Sequence, residues 1–187
     1  MPHNFSAVYA IMFCAGLYLP GWGGWTIPLV LMVVIDLLIT LVFYSSGDFS
    51  LWQFAVGMAP NYLAYAGLIG LGRFFGEKRP WWMLVIGGMF GALLFYIVTN
   101  TAAWLQLDGY AKTLAGWLQA LTIGLPGLPS TWEFFRNTLI SGGLFTGLFV
   151  VAMKLTEAAE ESEEEKEAEP AEEPAPAADG EPADSKS

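Results

Sequence analysis

Tyr96, Asn100 and Trp104 recur at intervals of four, so on a helix they lie along one face. They close an apolar run that begins near Met83, and polar side chains gather nowhere else in that run. A phenol, a carboxamide and an indole set hydrogen-bonding groups on aromatic surface. That is chemistry for holding a small molecule rather than transforming one. The same groups can instead tie helices together, because an Asn amide in an apolar medium is costly until a helix or ligand satisfies it. Asn4, Thr99, Tyr110, Gln119, Asn137 and Thr138 extend the neutral set, and Lys112 and Arg136 add two cations. Asp36 stands alone in another apolar run, where a carboxylate faces protein or a water-filled cavity.

Catalytic sets are missing from this inventory. His3 is the single histidine and Cys14 the single cysteine, which leaves no His/Cys metal site, no Ser–His pair within the apolar runs and no disulfide framework. Asp36 has no second carboxylate in its run for paired acid–base work. No Gly-rich loop ends in Gly-Lys-Ser or Gly-Lys-Thr, so ATP hydrolysis by that route is excluded. The expectation is a non-enzyme without cofactor or metal.

The elements that must position these groups are long and greasy. The chain has 187 residues, 55% hydrophobic and only 14% charged, against about 25% charged in soluble domains. Its net charge of −10 is misleading, since thirteen acids and two lysines lie from Glu157 onward. The preceding residues carry five acids and six bases, so no basic face exists for nucleic acid. Apolar runs fall at 5–19, 27–44, 52–75, 83–104 and 140–155, with a sixth, 111–126, too short for a ~30 Å membrane core. No Lys or Arg precedes the first run and no small-x-small cleavage site follows it, so it is expected to be a retained span. Ser45-Ser46-Gly47-Asp48 reads as a polar turn, and Pro60 with Asn61 predicts a kink or break in the third run. Trp22, Trp25, Trp81 and Trp82 sit at run boundaries, as interfacial anchors do. Gly87 with Gly91, and Gly143 with Gly147, are small pairs suited to close helix packing.

The expected fold class is an all-α integral membrane protein. It is a bundle of about six transmembrane helices, five clear and 111–126 short or re-entrant. Residues 1–156 form the membrane domain. Residues 157–187, rich in Glu, Ala and Pro, form a disordered acidic tail that begins with a few helical turns at most.

Several segments resemble an uncharacterised family of bacterial multi-span membrane proteins described as transport proteins. They are Asn4-Phe5-Ser6-Ala7-Val8, Ala15-Gly16-Leu17-Tyr18, Asp36, Thr99-Asn100 with Trp104, Lys112-Thr113-Leu114-Ala115-Gly116 and Phe135-Arg136-Asn137-Thr138-Leu139. The likeness covers about residues 4–155. The layout is also similar to the substrate-capturing S components of energy-coupling-factor transporters. That likeness implies capture of a vitamin-like molecule or other micronutrient, alongside a separate transmembrane coupling protein with two ATPases. It implies a pocket toward the outer face lined by Asn100, Trp104, Arg136 and Asn137, with Tyr96 and Lys112 nearby. It further implies that Ala7, Ala10 and Cys14 on the first helix meet the coupling partner. The corresponding location is the bacterial inner membrane, with six passages and a cytoplasmic tail.

Charge placement pulls against six passages. They would put Arg73, Lys78 and Arg79 opposite both ends of the chain, whereas positive residues collect on the cytoplasmic side. Five passages with 111–126 re-entrant would satisfy that rule. Two other functions fit the same residues: a non-catalytic scaffold of the envelope, in which Asn100 and Asp36 only tie helices, and a secondary transporter using Asp36 as its proton site.

Overall fold

The computed structural model describes residues 5–43 and 50–168. Asn4, His3 and the turn expected at 45–48 lie outside them. Every regular element among the described residues is a helix. Helix α1 spans Val8–Tyr18, α2 Gly23–Phe43, α3 Leu51–Phe75, α4 Trp81–Gln106, α5 Leu114–Thr122 and α6 Thr131–Ala168. Four of them, α2, α3, α4 and α6, are long and apolar enough to cross a membrane.

Short polar side chains start α1, α3 and α5. Ser6 Oγ accepts the Val8 amide at 3.2 Å, Ser50 Oγ accepts that of Gln53 at 3.4 Å, and Thr113 Oγ1 accepts that of Gly116 at 3.2 Å. Pro20 follows α1, and Gly76, with φ of 70°, stops α3. The break expected at Pro60 does not occur, for α3 runs through it. Apolar neighbours on both sides let the helix absorb one lost backbone bond.

Helix α1 is the axis of the bundle. It is apolar all round, and all of its residues but Val8, Ile11 and Tyr18 are buried. Its eleven residues rise only about 16 Å, so the first run gives a short helix rather than a full passage. Glycine brings it against α3. A Cβ at Gly16 would lie 2.1 Å from the Ile69 carbonyl oxygen, and one at Gly72 would lie 2.1 Å from that of Phe13. Backbone touches backbone there, which no larger residue permits.

Paired contacts fix the directions. Phe95 of α4 is flanked by Tyr9, with centroids 4.8 Å apart, and by Tyr65, stacked at 5.3 Å. Farther along α1, Phe13 sits over Gly87. Helix α1 therefore runs with α3 and against α4. Helix α2 runs against α3, since its start meets Arg73 and Gly70 while Asp36 meets Tyr62. Helix α6 runs against α4, pairing Phe135 with Tyr96, Gly142 with Ala92 and Thr146 with Gly88. Helix α5 does the same, pairing Trp117 with Thr101 and Leu121 with Tyr96. Two consecutive helices, α5 and α6, thus share one direction along α4, interrupted between Thr122 and Thr131. Within 111–126 the helix has only nine residues and rises about 14 Å, which agrees with the short or re-entrant segment expected there.

The chain divides into two units, Met1–Met153 and Lys154–Ser187. In the second, the described residues to Ala168 are helical, with Lys154 and Glu157 paired at 3.5 Å. The helix thus extends about three turns beyond Glu157, and residues 169–187 lie outside the described ones.

Candidate functional site

The face built on Tyr96, Asn100 and Trp104 forms as the spacing predicts, but its donors are spent on backbone carbonyls. The Tyr96 hydroxyl is shared between the carbonyls of Leu121, at 2.5 Å, and Thr131, at 3.2 Å. It thereby holds the end of α5 and the start of α6 against α4. Asn100 Nδ2 donates to the Tyr96 carbonyl one turn back at 2.8 Å. Trp104 Nε1 donates to the Ala111 carbonyl at 2.9 Å. Lys112 Nζ donates to the carbonyls of Trp104, at 2.5 Å, and Leu107, at 2.7 Å, placing a cation on the negative end of α4. Trp117 Nε1 bonds Thr101 Oγ1 at 2.9 Å, and Gln119 Nε2 bonds the Gly124 carbonyl at 3.0 Å. Tyr110 packs in the same turn, and its burial raises the phenol above its ordinary pKa.

Arg136 and Asn137 part company. Adjacent helical residues point about 100° apart, and here Arg136 is exposed while Asn137 is buried. Tyr96, Asn100, Trp104 and Lys112 are gathered at the α4–α5–α6 junction, and Arg136 looks outward one turn into α6.

A second constellation starts between α2 and α3. Asp36 Oδ2 accepts the Tyr62 hydroxyl at 2.7 Å, joining α2 to α3. The Tyr62 ring meets Tyr65 edge to face at 5.9 Å, Tyr65 stacks on Phe95, and Phe95 meets Tyr9. Tyr9 shares a side-chain hydrogen bond with Thr138 of α6. One carboxylate and a file of aromatic rings thus pass through the bundle, drawing a residue from every long helix. Oδ1 of Asp36 accepts no hydrogen bond from the described residues. A carboxylate with an open oxygen beside phenol faces can hold a proton or an organic cation.

Sequence reasoning found Asp36 and Thr138 but passed over Tyr62, Tyr65 and Tyr9. The available signal was the i, i+3 spacing of Tyr62 and Tyr65, beside Asn61, in a run otherwise apolar.

The small residues pack as helix contacts. A Cβ on Gly87 would strike Phe13 and Phe75, one on Gly91 would strike Leu68, and one on Gly143 would crowd Met89, while Gly147 faces Val85 at ordinary distance. Of the three residues expected to meet a coupling partner, Ala7 is half-buried, while Ala10 is 0% and Cys14 7% exposed, packed within the bundle. The cause is again that α1 has no polar face. Among the described residues, no three His, Cys, Asp or Glu side chains gather as a metal site requires.

Over residues 1–165 the sequence matches a family of unknown function, DUF6580. No curated protein and no solved structure matches the chain.

Proposed function

The chain belongs to that family, DUF6580, and from this premise we propose that it is a membrane-embedded protein that captures a small molecule between its helices for uptake. The membrane part of the reading is supported by bare apolar side chains around the outside. Ile27, Val30, Leu63 and Leu148 are each more than half exposed, on helices of spanning length. Water does not tolerate so continuous a greasy surface, and lipid does.

The observation that carries the capture reading is the Asp36–Tyr62 pair and the aromatic file behind it. A carboxylate in the middle of a spanning helix is expensive and persists where it binds something. The interrupted passage supports the same reading. Non-helical backbone at membrane depth is tolerated where it is buried in protein or lines a cavity, and residues 123–130 break the α5–α6 passage beside Tyr96. Discontinuous helices near a central site recur in transport proteins. If a coupling protein with ATPase subunits takes part, it does not meet Ala10 or Cys14, which are buried.

Thermal unfolding of the detergent-purified protein against vitamins, nucleobases, amino acids and amines tests this proposal. A true ligand at a hundred times its Kd stabilises by about 2.7 kcal/mol. That gain should vanish in Asp36→Asn and Tyr62→Phe, with helicity retained. No response to any compound would count against capture. If Asp36 is instead a proton site, Asp36→Asn abolishes pH-dependent uptake and leaves ligand stabilisation unchanged.

The scaffold reading has its own support in the hydrogen bonds of Tyr96, Trp104 and Lys112, which all end on backbone carbonyls. It predicts that substituting them lowers stability and alters no uptake.

A further inference from the structure

At the end of the bundle where α1 finishes and α3 turns into α4 there is an open cavity of about 740 Å3. Residues Gly16–Pro20 form one wall, and Arg73, Glu77, Lys78 and Arg79 form the other. Three cations and one acid line it. Among the described residues, none of the three cations is in an ion pair.

The cations do different work. The Arg73 guanidinium donates through Nη2 to the carbonyls of Gly21 and Leu19 and lies 5.6 Å from the centre of the Trp25 ring. Its charge is spent on the carbonyl-rich end of α1, where a helix is negative. Its Nε is buried and has no partner among the described residues. Lys78 and Arg79 are exposed at the rim beside the exposed Glu77, and neither is in an ion pair among the described residues. Gly76, at φ of 70°, ends α3 between Arg73 and these two residues. Around this end stand Trp22, 81% exposed, with Trp81 and Trp82, 59% and 51% exposed. Exposed indoles at helix ends mark the headgroup level of a bilayer.

We infer that this basin binds a phosphate-bearing anion, gripped by Lys78 and Arg79 above Arg73. A planar guanidinium and an ammonium side by side suit a phosphate. The surrounding indoles favour a phosphate on a lipid headgroup over one free in solution. The inference rests on the membrane part of the function proposed above and is independent of the capture site.

The test is native mass spectrometry of the full chain, released from micelles that contain equal amounts of phosphatidylglycerol and phosphatidylcholine. Wild type should retain phosphatidylglycerol in preference by roughly ten- to thirty-fold, as two basic residues at an anionic surface imply. The doubly substituted Lys78→Gln/Arg79→Gln should retain the two lipids alike while keeping its helicity. Millimolar inorganic phosphate is then added. If it leaves the retained lipid in place, the headgroup is the ligand. If it displaces the lipid from wild type, the same residues serve a soluble phosphate. Equal retention by wild type together with no phosphate effect, or undiminished preference in the double variant, would overturn the site. A chain that stays monomeric in water without detergent would instead overturn the membrane reading itself.

Discussion

Asp36 and Tyr62 meet across 26 positions of sequence, and their bond is the point where stability and binding can be separated. Tyr62→Phe removes the donor and leaves a half-buried carboxylate oxygen without it. Thermal unfolding in detergent should register a loss of about 1–3 kcal/mol. Asp36→Asn keeps an oxygen for the phenol and should cost less; the reverse order would mean that the bond contributes little. Lys112→Met should lower the unfolding temperature too, because two carbonyls at the end of α4 lose their donor. The sequence made Asp36 conspicuous, since a lone carboxylate in an apolar run has few explanations. Tyr62 and Tyr65 were hidden because tyrosine in an aromatic-rich run looks like packing. The spacing of Tyr96, Asn100 and Trp104 was readable, but their partners were not. Those partners are backbone carbonyls, which every residue carries and no motif marks.

Helices were the more legible level. Runs of 18 residues or more showed where α2, α3 and α4 lie to within a few positions, because length and apolarity are direct consequences of composition. Hidden were the crossing of α1 on α3 and the direction of α5. The first depends on Gly16, which belongs to no small pair, and on Gly72, which with Ala66, Gly70 and Gly76 reads as a small surface for close approach but whose spacing does not name the helix it meets. Gly72→Ala or Gly16→Ala would push a Cβ into backbone at 2.1 Å. Each should destabilise by about 3 kcal/mol, by overpacking a contact that cannot relax through a side chain. Gly67→Ala meets nothing within 4 Å and should stabilise by about 0.5 kcal/mol. Comparing the three unfolding temperatures checks both claims. The direction of α5 depends on the Tyr96 hydroxyl. Tyr96→Phe should speed amide hydrogen exchange across residues 114–131 and leave residues 8–18 unchanged. Equal protection in both proteins would show that α5 is held by packing alone.

At the scale of the molecule, the helices form an apolar bundle in which α5 and α6 run in one direction along α4, and the basic loop lies at the end that Val150 of α6 reaches. Val150 packs with Leu84, in the first turn of α4 and a few residues past Arg79, so by that point α6 has returned to the basic end. This arrangement relieves the conflict with charge placement that six passages create, and it leaves α5 and residues 123–130 at the opposite end, beside Tyr96. The measurement that tests it most directly is reagent labelling of single cysteines in intact cells, at Lys78, Asp108 and Ala152, on a Cys14→Ala background. An impermeant maleimide should reach position 108 from one side of the membrane, and positions 78 and 152 together from the other. Labelling of 108 and 152 from one side with 78 opposite would restore six passages and contradict the interrupted helix. Equal labelling of all three without a membrane barrier would remove the bilayer from the account.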